Sequence, residues 1–74
     1  MNEITKAVLK VESKEVKSAK RRLEKLLLMS VKGIENLSVS EVESIRTLAD
    51  TVSSAYDDIA EACIITKNKA YGVN

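Results

Sequence analysis

Residues 42–63 read VESIRTLADTVSSAYDDIAEAC, and this stretch decides the fold. Its apolar residues recur at alternating steps of three and four positions, which is typical of a helix that lies along another helix. We call these residues the heptad seam: Val42, Ile45, Ala49, Val52, Tyr56, Ile59 and Cys63. The spacing predicts that the seam packs inside the protein, with Cys63 as a small buried hydrophobic residue that has no catalytic partner.

The residues before the seam form a strong helix start. Ser38 and Glu41 are spaced as a capping box, and Leu37 with Val42 forms the matching hydrophobic staple. The pattern predicts a second helix over about residues 39–70, followed by a short C-terminal tail.

An earlier apolar stripe predicts a first helix over about residues 3–32, although Glu12 and Glu15 interrupt it. Gly33 is expected to end this helix because glycine tolerates the backbone conformation found just after many helix C-termini. Residues 33–37 are then a short turn, and a short turn between two helices makes them antiparallel neighbours.

At 74 residues the chain forms one domain with a marginal core, and a single cysteine excludes an internal disulfide. An unbroken apolar run from Leu26 through Leu27 and Leu28 to Met29 covers every face of a helix, so packing against one neighbouring helix cannot bury all of its side chains. We therefore expect a single all-α domain over residues 1–74. It is a long antiparallel helical hairpin that self-associates into a helical bundle, with a dimer as the expected form.

Basic residues outnumber acidic residues in the first predicted helix, and acidic residues outnumber basic residues after Gly33. At helical spacing one set forms the basic ridge: Lys6, Lys10, Lys14, Lys17, Arg21 and Lys25. This ridge is either a solvated face or a surface that binds an acidic partner. Glu43, Asp50 and Asp57 recur every seven residues as an acidic ridge on helix 2. The two ridges can pair between subunits.

The sequence contains little that catalysis uses. It has no histidine, and both glycines lie at predicted helix ends instead of in a phosphate-binding loop. One acidic cluster has the residue types that bind a divalent cation: Asp57, Asp58 and Glu61. Adjacent carboxylates on a helix point away from each other, however, so the interpretation as a solvated face is favoured. We expect no enzyme activity, no catalytic residues, no cofactor and no metal.

No segment has the long apolar run of a membrane span, and Glu3 and Lys6 interrupt the region where a signal peptide would be apolar. A free cysteine suits a reducing compartment. The expected location is the cytoplasm, or the host cytoplasm if a phage encodes the protein, with no membrane partner.

Part of the chain also resembles a known module. The segment Gly33-Ile34-Glu35-Asn36-Leu37-Ser38-Val39, the helix through Ile45, Leu48 and Ala49, and Ala70-Tyr71-Gly72 are similar to the oligomerisation hairpin of small terminase subunits of tailed phages. In that family the hairpin builds a ring, and a separate helix-turn-helix domain binds DNA. These 74 residues show no counterpart of that domain, and the first helix is basic instead. The resemblance implies an assembly module of phage type.

Together these features predict a non-catalytic, homo-oligomeric protein-binding module, such as a small phage-type adaptor or assembly protein. The first alternative is a small phage inhibitor that binds and blocks a host replication, transcription or defence protein. The second is a nucleic-acid-binding accessory protein that uses the basic ridge, although no aromatic residue lies on that ridge to stack on bases.

Overall fold

The computed structural model describes residues 2–72, so the predicted tail beyond them lies outside the described residues. The protein is an all-α helical hairpin, and its described part contains no strand. Its elements are α1 (Glu3–Val11), α2 (Lys14–Lys32), a 3-10 turn (Ile34–Asn36) and α3 (Val39–Tyr71). The α1 and α2 helices form one arm of the hairpin, and both pack against α3, which is the other arm.

The first arm is not the single helix over residues 3–32 that the sequence predicted. α1 ends at Val11 with Glu12 as its C-cap, and Ser13 adopts an extended conformation, with φ −64° and ψ 154°. The Ser13 hydroxyl then accepts a hydrogen bond from the Val16 N–H at 3.4 Å and so caps α2. The break has a physical cause, because Val11 and Val16 are five residues apart and an unbroken helix would point them in different directions.

The turn and the start of α3 agree with the prediction. Gly33 ends α2 as predicted, but its φ of 156° and ψ of 128° lie outside the left-handed helical conformation that was expected after the helix; residues with a Cβ rarely adopt this positive φ. Ser38 accepts a hydrogen bond from the Glu41 N–H at 3.2 Å, and the Ser38 N–H donates to the Glu41 carboxylate at 3.0 Å. The predicted capping box is thereby confirmed. It satisfies amides that the helix itself leaves without partners.

The core is thin. Six residues within 2–72 are buried, and four of them are alanines: Ala7, Val16, Ala19, Leu26, Ala55 and Ala62. Ala55 is fully buried and Leu26 is only 3% exposed, but no large side chain in the described part of the chain is fully enclosed. The molecule is also elongated, with dimensions of 53 × 24 × 17 Å and a radius of gyration of 16.2 Å. A compact domain of this length has a radius of gyration of about 11 Å.

Candidate functional site

The heptad seam borders the packed face of α3 instead of forming its centre. The residues buried most deeply on α3 are Ala55 and Ala62, which flank the seam. Within the seam, Ile45, Ala49, Val52 and Ile59 are half-buried, whereas Val42 and Tyr56 are exposed. Cys63 is exposed as well, so its predicted position in the interior was wrong. Because these alanines are small, the two arms can approach closely there, and the line of closest packing on α3 runs through Ala55 and Ala62.

Two contacts between the arms identify two opposite sides of the hairpin. The Lys20 ammonium lies 3.4 Å from the Tyr56 hydroxyl, and the Lys10 ammonium lies 2.6 Å from the Asp58 carboxylate. Tyr56 and Asp58 are two residues apart, so their side chains leave α3 about 200° from each other. The Tyr56 contact and the Asp58 contact therefore lie on different sides of the molecule.

The side that carries the Tyr56 contact is apolar. Residues seven positions apart on a helix share a face, so the surface extends along α3 from Tyr56 and along α2 from Lys20. On α1, Val8 lies on the same side because it is two residues from Lys10. We call this surface the apolar side: Val8, Leu27, Val31, Val42, Ala49, Tyr56 and Cys63. Tyr56 is 44% exposed and Val31 is 83% exposed, so this surface is open in the single chain.

The side that carries the Asp58 contact is polar. Thr47 and Thr51 lie along α3 from Asp58, and their hydroxyls donate to the carbonyls of Glu43 and Thr47, at 3.3 and 3.1 Å. A shallow groove between α1 and α3 opens on this side, and both positive and negative side chains line it. Because Thr47, Thr51, Lys10 and Asp58 already have partners, the polar side offers less to a protein partner than the apolar side does.

The apolar run near the turn divides between the core and the surface. Leu26 is buried against α3, whereas Leu27 and Leu28 are exposed in the single chain. Glu24, Leu27, Leu28 and Val31 line a shallow depression there. These three leucines were predicted to lie in the core or in the contact between copies. Leu26 lies in the core, and Leu27 and Leu28 lie on the surface of the single chain.

The structure divides the predicted basic ridge into two parts, because the break at Ser13 turns α1 relative to α2. Three of its lysines form ion pairs: Lys6 with Glu3 at 4.0 Å, Lys10 with Asp58 at 2.6 Å, and Lys17 with Glu12 at 2.8 Å. The three remaining members form no ion pair within residues 2–72; they are Lys14, Arg21 and Lys25. All three are exposed on α2, so the unpaired part of the ridge is confined to that helix.

Two glutamates that hold helix ends have lowered pKa values. A hydrogen bond from Lys17, together with its positive charge, lowers the pKa of Glu12. A hydrogen bond from the Ser38 backbone N–H lowers the pKa of Glu41. Glu12 is exposed, Glu41 is half-buried, and both carboxylates lie at helix ends, so these pKa shifts are structural.

No charged side chain is buried in the part of the chain that the structure describes. Within residues 2–72, no three His, Cys, Asp or Glu side chains gather into a group that could hold a metal ion. None of the helices described is both long enough and apolar enough to cross a bilayer. The surfaces that remain for function are the apolar side and the charged outer faces of the hairpin.

We compared the chain with protein-family models, with curated proteins and with solved structures, and found no match in any of the three comparisons. The resemblance of about residues 26–73 to the terminase hairpin therefore stays a prediction. The functional argument rests on the surfaces described above.

Proposed function

We propose that the protein is a non-catalytic protein-binding module that assembles with itself through the apolar side. In this proposal it serves as a small adaptor or assembly protein in the cytoplasm. The observation that carries the proposal is the open apolar surface around Tyr56. The resemblance of about residues 26–73 to an oligomerisation hairpin supports a phage-type assembly role.

The exposed area supports a partner on this surface. The chain exposes 5663 Å², whereas a folded monomer of its mass exposes about 4,500 Å². The excess is about 1,200 Å², and each partner in a stable protein–protein interface buries about 800 Å². A second copy that covers the apolar side would thus bring the exposed area into the range of ordinary folded proteins.

The spacing of the apolar side supports a second hairpin as the partner. Val42, Ala49, Tyr56 and Cys63 follow one another at seven-residue steps, the repeat by which helices pack side by side in coiled coils. Two hairpins joined through this surface form a four-helix bundle with a two-fold axis. Tyr56 provides the aromatic anchor that is common at the centre of protein interfaces.

A pair of double variants tests the proposal. One variant carries both Val42→Glu and Tyr56→Glu, which place two charges on the apolar side. The matched control carries both Thr47→Glu and Thr51→Glu on the polar side. We expect light scattering to give a dimer for the wild type and the control, whereas the apolar-side variant dissociates with a Kd at least about 100-fold weaker. Circular dichroism checks that all three proteins remain helical.

The exposed thiol provides a second measurement of the same contact. Because Cys63 lies on the apolar side, its reaction with a maleimide should slow as the wild-type concentration rises through the dimer Kd. The rate for the Val42→Glu, Tyr56→Glu variant should not change with concentration. A wild type that is monomeric at high micromolar concentration contradicts the proposal, and so does a control variant that dissociates as readily as the apolar-side variant.

A further inference from the structure

We infer that the outer faces of α2 and α3 form a second contact between copies, in which the basic face of one hairpin packs on the acidic face of the next. This inference rests on the proposed self-association, but it uses different surfaces and predicts assemblies larger than a dimer. It is carried by the complementary charge of the two faces and by the overlap of their positions along the hairpin axis.

The outer face of α2 is basic. Arg21 is five residues from both Val16 and Leu26, which are buried, so it points about 140° away from each of them. The helical repeat then defines the basic edge: Lys14, Arg21, Lys25 and Lys32. Within residues 2–72 none of these four side chains forms an ion pair, so their charges are available to a partner.

The outer face of α3 is acidic. Asp57 is two residues from the fully buried Ala55 and therefore points away from the other arm. The acidic edge comprises Glu43, Asp50, Asp57 and Glu61, and these side chains form no ion pair in the described part of the chain. Each edge has one charge of the other sign near it, Glu24 beside the basic edge and Arg46 on the acidic edge, so the net charges remain opposite.

The basic and acidic edges overlap along the hairpin axis. The contacts Lys10–Asp58 and Lys20–Tyr56 join the two arms through long side chains and bracket the register between them. Counted from either contact, Lys14 lies level with a residue in 54–62 and Arg21 with a residue in 47–55, segments that contain Asp57 and Asp50.

Because the two edges occupy the same part of the axis, a second hairpin shifted sideways brings the basic edge of one copy against the acidic edge of the next. This complementarity between two faces of the same chain is what favours a second copy over an unrelated acidic partner.

The contact has a consequence for the form of the assembly. It joins two different faces, so it is heterologous, and such contacts produce a ring or an open row instead of a closed dimer. The apolar side lies at about a right angle to both charged edges, since Tyr56 and Asp57 leave α3 about 100° apart. Both contacts can therefore form at once, and a row of hairpins can pair with a second row through the apolar side.

Charge reversal with complementation tests this inference on the full chain. One variant carries Arg21→Glu and Lys25→Glu, and the other carries Asp50→Lys and Asp57→Lys. All four positions are exposed, so both variants should stay folded, which circular dichroism checks. Light scattering is measured in about 0.01 M and about 1 M salt, where the Debye length is roughly 30 and 3 Å.

In low salt we expect the wild type to form species larger than a dimer and each variant alone to stop at the dimer, because the reversed residues set like charges against each other in the middle of the contact. An equal mixture of the two variants should regain the large species, since the reversed residues of one variant then meet opposite charges on the other. High salt should reduce the wild type to the dimer, which the apolar side holds.

The outcomes separate this inference from the proposed function. A wild type that remains a dimer in low salt overturns the inference and leaves the proposed function standing, whereas a monomer under all conditions overturns both. Large species that persist in both reversed variants also overturn it. If the mixture fails to regain large species, the basic edge serves some other acidic partner, and the inference is overturned as well.

Discussion

The two arms of the hairpin pack their apolar residues against each other, but only one of them does so as an unbroken helix. The second arm is one continuous helix of 33 residues, whereas the helix of the first arm stops at Val11 and begins again at Lys14. Both arms are rich in residues that favour helices, so composition does not account for the difference. What differs is the order of the apolar residues along each arm.

In α3 the residues that face the other arm follow one another at steps of three or four, which keeps them on one face of an unbroken helix. In the first arm the step from Val11 to Val16 is five residues, and a continuous helix would rotate the following apolar residues about 140° from Val11. The break at Ser13 resets the direction, so that Val16 and Leu26 reach the core. The comparison teaches that the phase of the apolar pattern decides whether a helix continues.

The largest expected effect comes from deleting one residue in each arm. Deletion of Ser13 shortens the five-residue step to four, so α1 and α2 should fuse into one helix with all its apolar residues on one side. Deletion of Ser53 rotates the rest of α3 by about 100° and removes Ala55 and Ala62 from the core. We expect the first variant to fold cooperatively, and the second to lose its cooperative transition in urea.

Circular dichroism refines this prediction, because fusion of α1 with α2 should raise the helical signal of the Ser13 deletion above that of the wild type. The interpretation of the break is contradicted if the two deletions destabilise the protein equally. It is also contradicted if the Ser13 deletion leaves the helical signal unchanged.

A smaller difference is expected from the serine caps of the two arms. Ser38→Ala should reduce the free energy of unfolding by about 1 kcal/mol, because this serine takes part in a complete capping box. Ser13→Ala should have a smaller effect, since its capping hydrogen bond is longer, at 3.4 Å, and alanine favours a continuous helix. Urea unfolding at one fixed protein concentration measures both, and a larger loss for Ser13→Ala would argue against the comparison.

The smallest effect is a pH dependence at the helix ends. The folded protein holds the pKa of Glu12 and of Glu41 below the ordinary glutamate value of about 4.3. The stabilisation that both ionised carboxylates provide is therefore fully present above that pH and is lost as the pH falls through the lowered pKa values.

The variants Glu12→Gln and Glu41→Gln measure this contribution. Each should be slightly less stable than the wild type near neutral pH, and the difference should vanish once the pH is below the lowered pKa. Thermal unfolding at a series of pH values provides the measurement. A difference that stays constant down to strongly acidic pH would show that the charge of the carboxylate is not its cause.

Local sequence signals predicted several features correctly. The capping box at Ser38 and the turn at Gly33 depend on residues within four positions of each other, so the sequence contains all the information that they require. The break at Ser13 was missed, although its signals were present: a serine that precedes α2 and the five-residue step from Val11 to Val16. The interruption by Glu12 was noticed, but it was interpreted as a weakness within one helix.

The candidate surfaces were harder to predict. The seven-residue repeat in 42–63 is real, but a repeat identifies a stripe along a helix and does not say which neighbour covers it. The packing of α1 and α2 on α3 fixes the rotation of α3 so that Ala55 and Ala62 face inward, and Tyr56 and Cys63 lie at the side of the packed face. The same packing gave Lys10 a partner in Asp58, a residue 48 positions away, which no local pattern indicates.

By itself the amino-acid sequence determined that this protein is helical, where the chain turns, how α3 begins and which charges each arm carries. These properties depend on hydrogen bonds and side-chain spacing within a few residues. Only the tertiary structure decided which stripe of α3 is buried, which lysines have partners and which side of the hairpin remains apolar and open. Those properties depend on how closely two arms approach and on their rotation about their axes, and small residues such as Ala55 set both only once the arms are packed together.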